Sequence, residues 1–284
     1  MKTLVSIKKD LEFNKSLSAL LEVLKTIAVS QYKSLEKKIS SYEKFLLTVD
    51  TFFKFIDLKG IDHLFLNPKD KRQIVVAITS DSGLLGGLNM QVVSTAIREL
   101  EETPGKLIVI GARGKAYASE TGIPFTVFAG IKEEDRVFQA AQLRDYIVNK
   151  LLEEGIGYLK VVYPRPISFT VQRVEVVQFL PYISPDKKED YKGGAFTDVI
   201  MESNPADIIE YLVSLWISRR LYDIFGLSRL AEFAARFIHL EESSHRLKEM
   251  DQKLRLQYFR VGHELIDRSM RELFSARLLY ATKH

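Results

Sequence analysis

The sequence predicts an α/β protein in which a central doubly wound, Rossmann-like domain is flanked by two long helices that pair as an antiparallel coiled coil. Three observations predict it. No glycine or proline occurs before Gly60, five strand-like runs alternate with amphipathic segments between residues 71 and 183, and only Gly226 and Gly262 interrupt the chain after Pro205.

The first stretch, residues 1–60, repeats apolar residues three or four apart: Leu17, Leu20, Leu24 and Ile27, then Leu35, Ile39, Tyr42, Leu46, Val49, Phe52 and Ile56. That spacing is a helix with a seam. At ~1.5 Å per residue such a helix reaches roughly 75 Å, too far for one globular core to wrap, so it needs a partner helix.

From 71 to 183 the pattern changes. The runs "QIVVAITS", "KLIVIGA", "PFTVFAG", "YLKVVYP" and "QRVEVVQFL" read as strands, with turn signals at Pro104-Gly105, Gly122, Gly130 and Gly155 between the elements. The segment "NMQVVSTAIREL" sets Val93, Ile97 and Leu100 on one helical face. Strand and helix in alternation predict a mostly parallel sheet covered by helices. Residues 184–203, beginning "SPDKKEDYKGG", combine charge with turn residues and read as an exposed loop.

The last region, 204–284, starts with Asn204 as a cap and Pro205 in the first turn. Apolar residues then follow a spacing near three and a half: Leu227, Leu230, Ala234, Phe237, Leu240, Leu247, Met250, Leu254, Tyr258, Val261 and Leu265. A repeat of that length predicts a left-handed coiled coil. Two long helices at opposite ends of one chain pair most simply with each other, giving a rod with a knob. Residues 1–56 are too few to cover the whole second helix. Met250, Leu254, Val261, Leu265, Leu273 and Leu279 are the apolar surface left over if its tip is single.

Composition narrows the function classes. The chain has 284 residues, 46% apolar, and its 41 basic residues nearly match 37 acidic ones for a net charge of +4. Charge of that size does not mark a nucleic-acid binder. Cysteine is absent, which excludes disulfides, thiolate metal sites and cysteine nucleophiles. No apolar run approaches the ~20 residues of a membrane-spanning helix, so any membrane contact is expected to be peripheral. The opening "MKTLVSIKKDLEFNKSL" resembles neither a secretion signal nor a transit peptide, and the mature chain is expected to begin here.

One motif invites a ligand: "SDSGLLGGLN", Ser80 to Asn89, placed between a strand and a helix. A triphosphate loop needs lysine and Ser or Thr after its last glycine, but Gly87 is followed by Leu88 and Asn89. A dinucleotide loop needs Gly-x-Gly-x-x-Gly, which Gly83, Gly86 and Gly87 do not supply. Asp81 also puts a carboxylate where a phosphate would sit. The glycines are therefore read as backbone freedom and close packing where strand meets helix, and no cofactor, catalytic residue or metal site is assigned. His239, His245 and His263 lack the arrangement of a metal centre and read as seam or surface residues.

The same turn resembles a pattern of the gamma subunits of F-type ATP synthases, Ser-Asp-Arg-Gly-Leu-x-Gly-Gly-Leu-Asn, with Ser82 in place of arginine the one mismatch. "LKTIAVSQYKSLEKKI" is similar to that family's Met-Lys-Met-Val-Ala segment, and "IGARGKAYASETG" to its Gly-x-Lys-Gly segment. "YPRPISFTVQRVEVVQFLP" resembles the stretch before its Leu-Pro, and "SRLAEFAARFIHLEESSHRLKEMDQKL" its Ser-Glu-x-x-Ala-Arg-x-x-Ala-Met run. The resemblance spans nearly the whole chain in order; only the glycine turn is specific by itself. Gly262-His263 stand where the family usually has Arg-Gln, and "HRLKEMDQKL" looks closer to the variant, sometimes sodium-linked, branch.

The resemblance implies a non-catalytic central-stalk rotor subunit, with the alpha and beta subunits of a catalytic hexamer, an epsilon subunit and a membrane c-ring as partners, no nucleic acid, and peripheral attachment through the complex. It implies a place on the cytoplasmic face of a bacterial or archaeal plasma membrane. Candidate contacts with the surrounding ring are Lys25, Asp81, Gly83, Gly86, Gly87, Asn89, Arg255, Arg260, His263 and Glu264. From the residues alone, Lys25 reads as an ordinary helix-surface lysine. The basic run Arg246, Lys248, Lys253, Arg255, Arg260 and Arg268 fits a positive sleeve for acidic loops and a solvated coiled-coil face equally well. The rival readings are a nucleotide-binding α/β enzyme with coiled-coil arms, a passive coiled-coil scaffold, and a gamma-like shaft of a specialised ATPase motor.

Overall fold

The computed structural model describes residues 3–40, 63–182 and 204–281. The expected continuation of the first helix to residue 60 and the loop at 184–203 lie outside the described residues. Two compact units divide the chain: Ala28–Arg236, and Met1–Ile27 together with Phe237–His284.

The Ala28–Arg236 unit contains a five-stranded sheet of order β3-β2-β1-β4-β5. Its strands are β1 (Gln73–Ile78), β2 (Gly105–Ile110), β3 (Phe125–Phe128), β4 (Tyr158–Pro166) and β5 (Gln172–Leu180). They are the five apolar runs read from the sequence. β1 pairs in parallel with β2 and β4, β2 with β3, and only β5 runs antiparallel, returning by a hairpin from β4. Every residue of β1 is buried, because helices cover both faces. On one face Ile74, Val76, Ile78 and Ile108 meet Leu143, Ile147 and Leu151 of α4 (Arg136–Glu154) and Ile217, Leu221 and Phe225 of α5 (Pro205–Ala281). On the other, Val75, Ala77 and Val109 meet Val92, Val93 and Ala96 of α2 (Leu88–Glu102) and Ala118 of α3 (Ala112–Ser119). The domain is doubly wound.

Local chemistry sets the element ends. Gly155 takes a left-handed conformation, φ 65°, and its N–H returns to the Leu151 carbonyl, which closes α4. The Asn204 side chain accepts from the Ala206 N–H at 3.2 Å, with Pro205 in the first turn of α5, as the sequence predicts.

The same unit holds a stretch where α1 (Leu4–Ser40) meets α5. There Tyr32 and Leu35 are buried with Leu230, Phe233 and Ala234, and Ile39 and Phe169 pack against them.

In the other unit α1 and α5 also run side by side. Lys25 reaches Glu241, Glu22 reaches Ser244, and Leu4 lies 3.8 Å from where a Cβ on Gly262 would stand. Contacts that climb one helix while descending the other make the pair antiparallel. From His263 to Arg277 every side chain is exposed.

Leu35 and Ile39 pack on α5 as the sequence predicts, whereas over Ile7–Ala28 the seam of α1 is shifted from the expectation by one residue. Ile7, Asn14, Lys25 and Ala28 are buried, while Leu20 and Ile27 are 53% and 46% exposed. On α5, Leu240 and Leu247 are buried in the seam as expected, and Leu254, Tyr258 and Val261 are half-buried. Of the apolar residues expected to be left over at the tip, Met250, Leu265 and Leu273 are exposed, whereas Leu254 and Val261 are not fully so. The side chain of Leu279 lies outside the described residues.

Candidate functional site

The sequence candidates fall into two groups, one in each unit. Asp81, Gly83, Gly86, Gly87 and Asn89 come together in the turn that joins β1 to α2. Beyond Ile78, the Thr79 N–H donates to the Ile110 carbonyl at 3.0 Å and the Arg113 N–H to the Ser80 carbonyl at 3.0 Å. Gly114 donates its N–H to Thr79 Oγ1 at 3.0 Å, and a side chain at 114 would collide with Thr79. Asp81 Oδ1 accepts from the Ala112 N–H at 2.8 Å, so a carboxylate of the chain itself sits at the start of α3. An incoming phosphate would find that donor taken.

The turn is filled from within. Asn89 is buried, its Oδ1 accepts from the Ser80 N–H at 3.2 Å, and its Nδ2 donates to Ser80 Oγ at 2.9 Å. Ser80 Oγ in turn donates to the Ser82 carbonyl at 2.8 Å. Gly86 has φ 61°, a conformation that favours glycine, and a Cβ on Gly83 would press on the Arg113 guanidinium at 2.9 Å. Leu85 and Leu88 pack on Ala235 of α5 and on Val174, which anchors the turn to both the sheet and the long helix. This is a brace between strand, helix and α5. It presents Asp81, Leu84, Gly86 and Gly87 outward and keeps Asn89 inside.

The other group, Lys25, Arg255, Arg260, His263 and Glu264, lies on the α1 and α5 stretches of the second unit. Lys25 is not the surface lysine that its sequence context suggests: it is 8% exposed, because it occupies a seam position. Its ammonium lies 2.8 Å from Glu22 Oε1 and bonds Glu241 Oε2 from α5. Ser244 Oγ donates to Glu22 Oε1 at 3.3 Å, and His245 Nε2 stands 3.4 Å from Glu241 Oε1. The hydrogen bonds to Glu22 and then to Glu241 raise the Lys25 pKa above its ordinary value, and the bond from Lys25 lowers both carboxylates below theirs. The cation is engaged within the chain.

The remaining candidates are on the outside. Arg255 pairs with Asp251 at 2.7 Å, one turn earlier on α5, and Arg260, His263 and Glu264 are exposed. Arg246, Lys248, Lys253 and Arg268 are exposed as well. Among the described residues no group of three or more His, Asp or Glu is placed to hold a metal ion.

Sequence reasoning missed Glu22, Glu241, Ser244 and Asn14. Glu22 was within reach, since a glutamate three residues before a lysine on a helix pairs with it. Glu241 lies 216 residues after Lys25 and announces itself only through the phase of the second heptad. Asn14, buried with no hydrogen-bond partner for its Nδ2, had no signal at all.

A family model described as ATP synthase matches residues 3–276. A protein of Symbiobacterium thermophilum named ATP synthase gamma chain is 29% identical over 222 residues, covering 75% of each chain. One of the same name from Halothermothrix orenii is 23% identical over 282 residues, covering 96% of this chain and 97% of its own. Among solved structures, a chain from the Euglena gracilis mitochondrial ATP synthase, OSCP/F1/c-ring, rotational state 3, superposes with TM-score 0.71 at 17% identity, over 99% of this chain and 96% of its own. At that identity the likeness is one of fold.

Proposed function

The chain belongs to the ATP synthase family, and from that premise we propose that it is the central-stalk rotor subunit of an F-type ATP synthase. It carries out no chemistry itself. Its role is to couple ATP synthesis or hydrolysis in a catalytic ring to ion translocation through a membrane ring by rotating between them. The observation that carries the reading is that the family match takes in both long helices as well as the sheet.

The physical argument is one of coupling. An asymmetric pair of helices inside a ring of equivalent sites meets each site with a different face, so each shaft orientation stabilises a different set of site conformations. Nucleotide binding can turn the shaft only through that difference in interaction free energy, and turning the shaft changes nucleotide affinity by the same amount. In this reading residues 1–60 and 204–284 supply the shaft, 71–183 the globular part near the membrane ring, and 184–203 a connecting loop. Partners are the alpha and beta subunits, an epsilon subunit and the c-ring. Contacts with the ring fall to the outward candidates Asp81, Gly86, Gly87, Arg255, Arg260, His263 and Glu264. Gly83, Asn89 and Lys25 serve to shape the surfaces beside them.

No helix among the described residues is long and apolar enough to cross a membrane. In this reading the chain belongs to a membrane-associated complex through its partners, on the cytoplasmic face of a bacterial or archaeal plasma membrane. The test is reconstitution of the complex in sealed vesicles. ATP-driven ion pumping should vanish when this chain is omitted and return when it is added back. Pumping that proceeds without it would overturn the assignment.

A further inference from the structure

Along the first part of α1 the residues that face α5 are Ile7, Leu11, Asn14, Ser18, Leu21 and Lys25, alternating three and four apart. The face is a coiled-coil seam in its geometry and not in its chemistry. Between Ile7 and Ala28 the only buried residues of α1 are Asn14 and Lys25, and opposite them α5 contributes Ser244 and half-buried Asp251 along with its leucines. Asn14 Nδ2 has no acceptor, and grooves open beside Asn14 toward Lys15 and Lys248 on one side and Phe13 and Leu254 on the other. On the neighbouring, more apolar stripe of the same stretch Leu20, Val23 and Ile27 are exposed, Phe13 lies exposed at the edge of a groove, and Leu17 and Leu24 are half-buried.

We propose that Leu4–Leu24 of α1 is a strap that lifts from α5 as one unit, with the Lys25 contacts to Glu22 and Glu241 as its latch. Lifting exposes the buried Ile7 and Leu247, while Leu11, Leu21, Leu254 and Val261 are half-buried already. It lets water reach Asn14, and an unsatisfied buried donor favours any state in which it gains a partner. What resists lifting is the burial of Ile7 and Leu247, with the half-buried leucines beside them, and the ion cluster at the far end. Glu22 and Glu241 are partly open to solvent, with side chains 53% and 38% exposed, so the latch is a moderate one. Such a strap gives a long helical pair a place where twist is taken up by parting rather than by bending. The proposal concerns the chain's own helices and does not rest on the rotor reading, so either can fail without the other.

Amide hydrogen exchange of the full-length chain tests it. A lifted strap keeps only its continuity with the rest of α1 and loses the packing that supplies most of a helix's stability, so its amides exchange as it opens. Those of Leu11–Leu24 should exchange together, on the order of 100-fold faster than those of Tyr32–Leu35. Asn14→Leu, which sets a leucine beside Leu254, should slow that block about tenfold. Lys25→Ala should speed it about tenfold, and Glu241→Gln, which leaves the seam filled, about threefold, with the Tyr32–Leu35 amides unchanged in both. Exchange of Leu11–Leu24 as slow as that of Tyr32–Leu35, no response to Asn14→Leu, or acceleration of the whole chain by Lys25→Ala would each overturn the strap.

Discussion

Where α1 meets α5 near Tyr32, the contact is made of aromatic and aliphatic side chains; where it meets α5 near Lys25, it is made of amide, hydroxyl and charge. In the first stretch Tyr32 and Leu35 are buried with Leu230, Phe233 and Ala234, and the Phe169 ring meets Tyr32 edge-on with centroids 4.8 Å apart. In the second, Lys25 is held by two carboxylates and Asn14 by nothing. The spacing is the same in both. Heptad geometry and seam stability are therefore separate properties: removing apolar surface from water stabilises a pair of helices, whereas an ion cluster whose carboxylates are open to solvent adds little net stability.

The apolar stretch carries the largest expected effect. Phe233→Ala in the apolar stretch should destabilise the chain by about 3 kcal/mol in urea titration, since it removes a buried ring. A cost below about 1 kcal/mol would mean that the two stretches are alike.

Alkali and acid should then attack different units. Burial, followed by the nearby Glu175 charge, raises the Tyr163 phenol to about 12, in the sheet domain. A raised folded value means that its stabilising effect is whole below pH 10, the unfolded value, and is lost as the pH rises toward 12, by about 2 kcal/mol. Tyr163→Phe should flatten that loss in a pH series of urea midpoints.

Smaller effects belong to the polar stretch. Leu254→Ala, at a half-buried seam position, should cost about 1 kcal/mol or less. Gly262→Ala should stabilise α5 by about 0.5 to 1 kcal/mol, because a glycine weakens a helix interior by about that amount and a Cβ there would meet only Leu4 Cδ1 at 3.8 Å. The other glycine of α5 gives the opposite result: a Cβ on Gly226 would be driven into Arg136, whose guanidinium lies over the Tyr222 ring 4.0 Å from its centre. No gain in helix melting for Gly262→Ala would remove Gly262 as a weak point of the shaft. Weakest of all is acid. Glu22 and Glu241 are held below the ordinary carboxylate range, so their contribution is whole above about pH 4.5 and is lost as the pH falls through their lowered values. Exchange in Leu11–Leu24 should slow less on acidification than the falling intrinsic amide rate predicts.

The architecture was legible because its signals are local. Five apolar runs separated by glycine turns became five strands, and Asn204 with Pro205 marked the start of α5 where the chain begins that helix. The phase of the first helix was not legible. Phe13, Leu17, Leu20, Leu24 and Ile27 repeat with the same three-four spacing as Asn14, Ser18, Leu21, Lys25 and Ala28, one residue later. Periodicity selects the more apolar of two such stripes, yet the less apolar one faces α5. What decides between them is the partner surface, whose own polar positions, Ser244 and Asp251, lie more than two hundred residues away. At the glycine turn the bracing role was readable from the missing lysine and from Asp81, whereas its anchor on Ala235 came from a helix that the turn does not adjoin in sequence.

From His263 to Arg277 every side chain is exposed, and among the described residues no buried helix face packs there. A segment of that length cut free would be close to the limit at which a peptide keeps any helix in water, because starting the first turn is the costly step. Here the start is inherited: the hydrogen-bond ladder arrives already formed from the residues before Gly262, and each further turn merely extends it. Order in these last turns is therefore borrowed from upstream and should fade toward the carboxyl end.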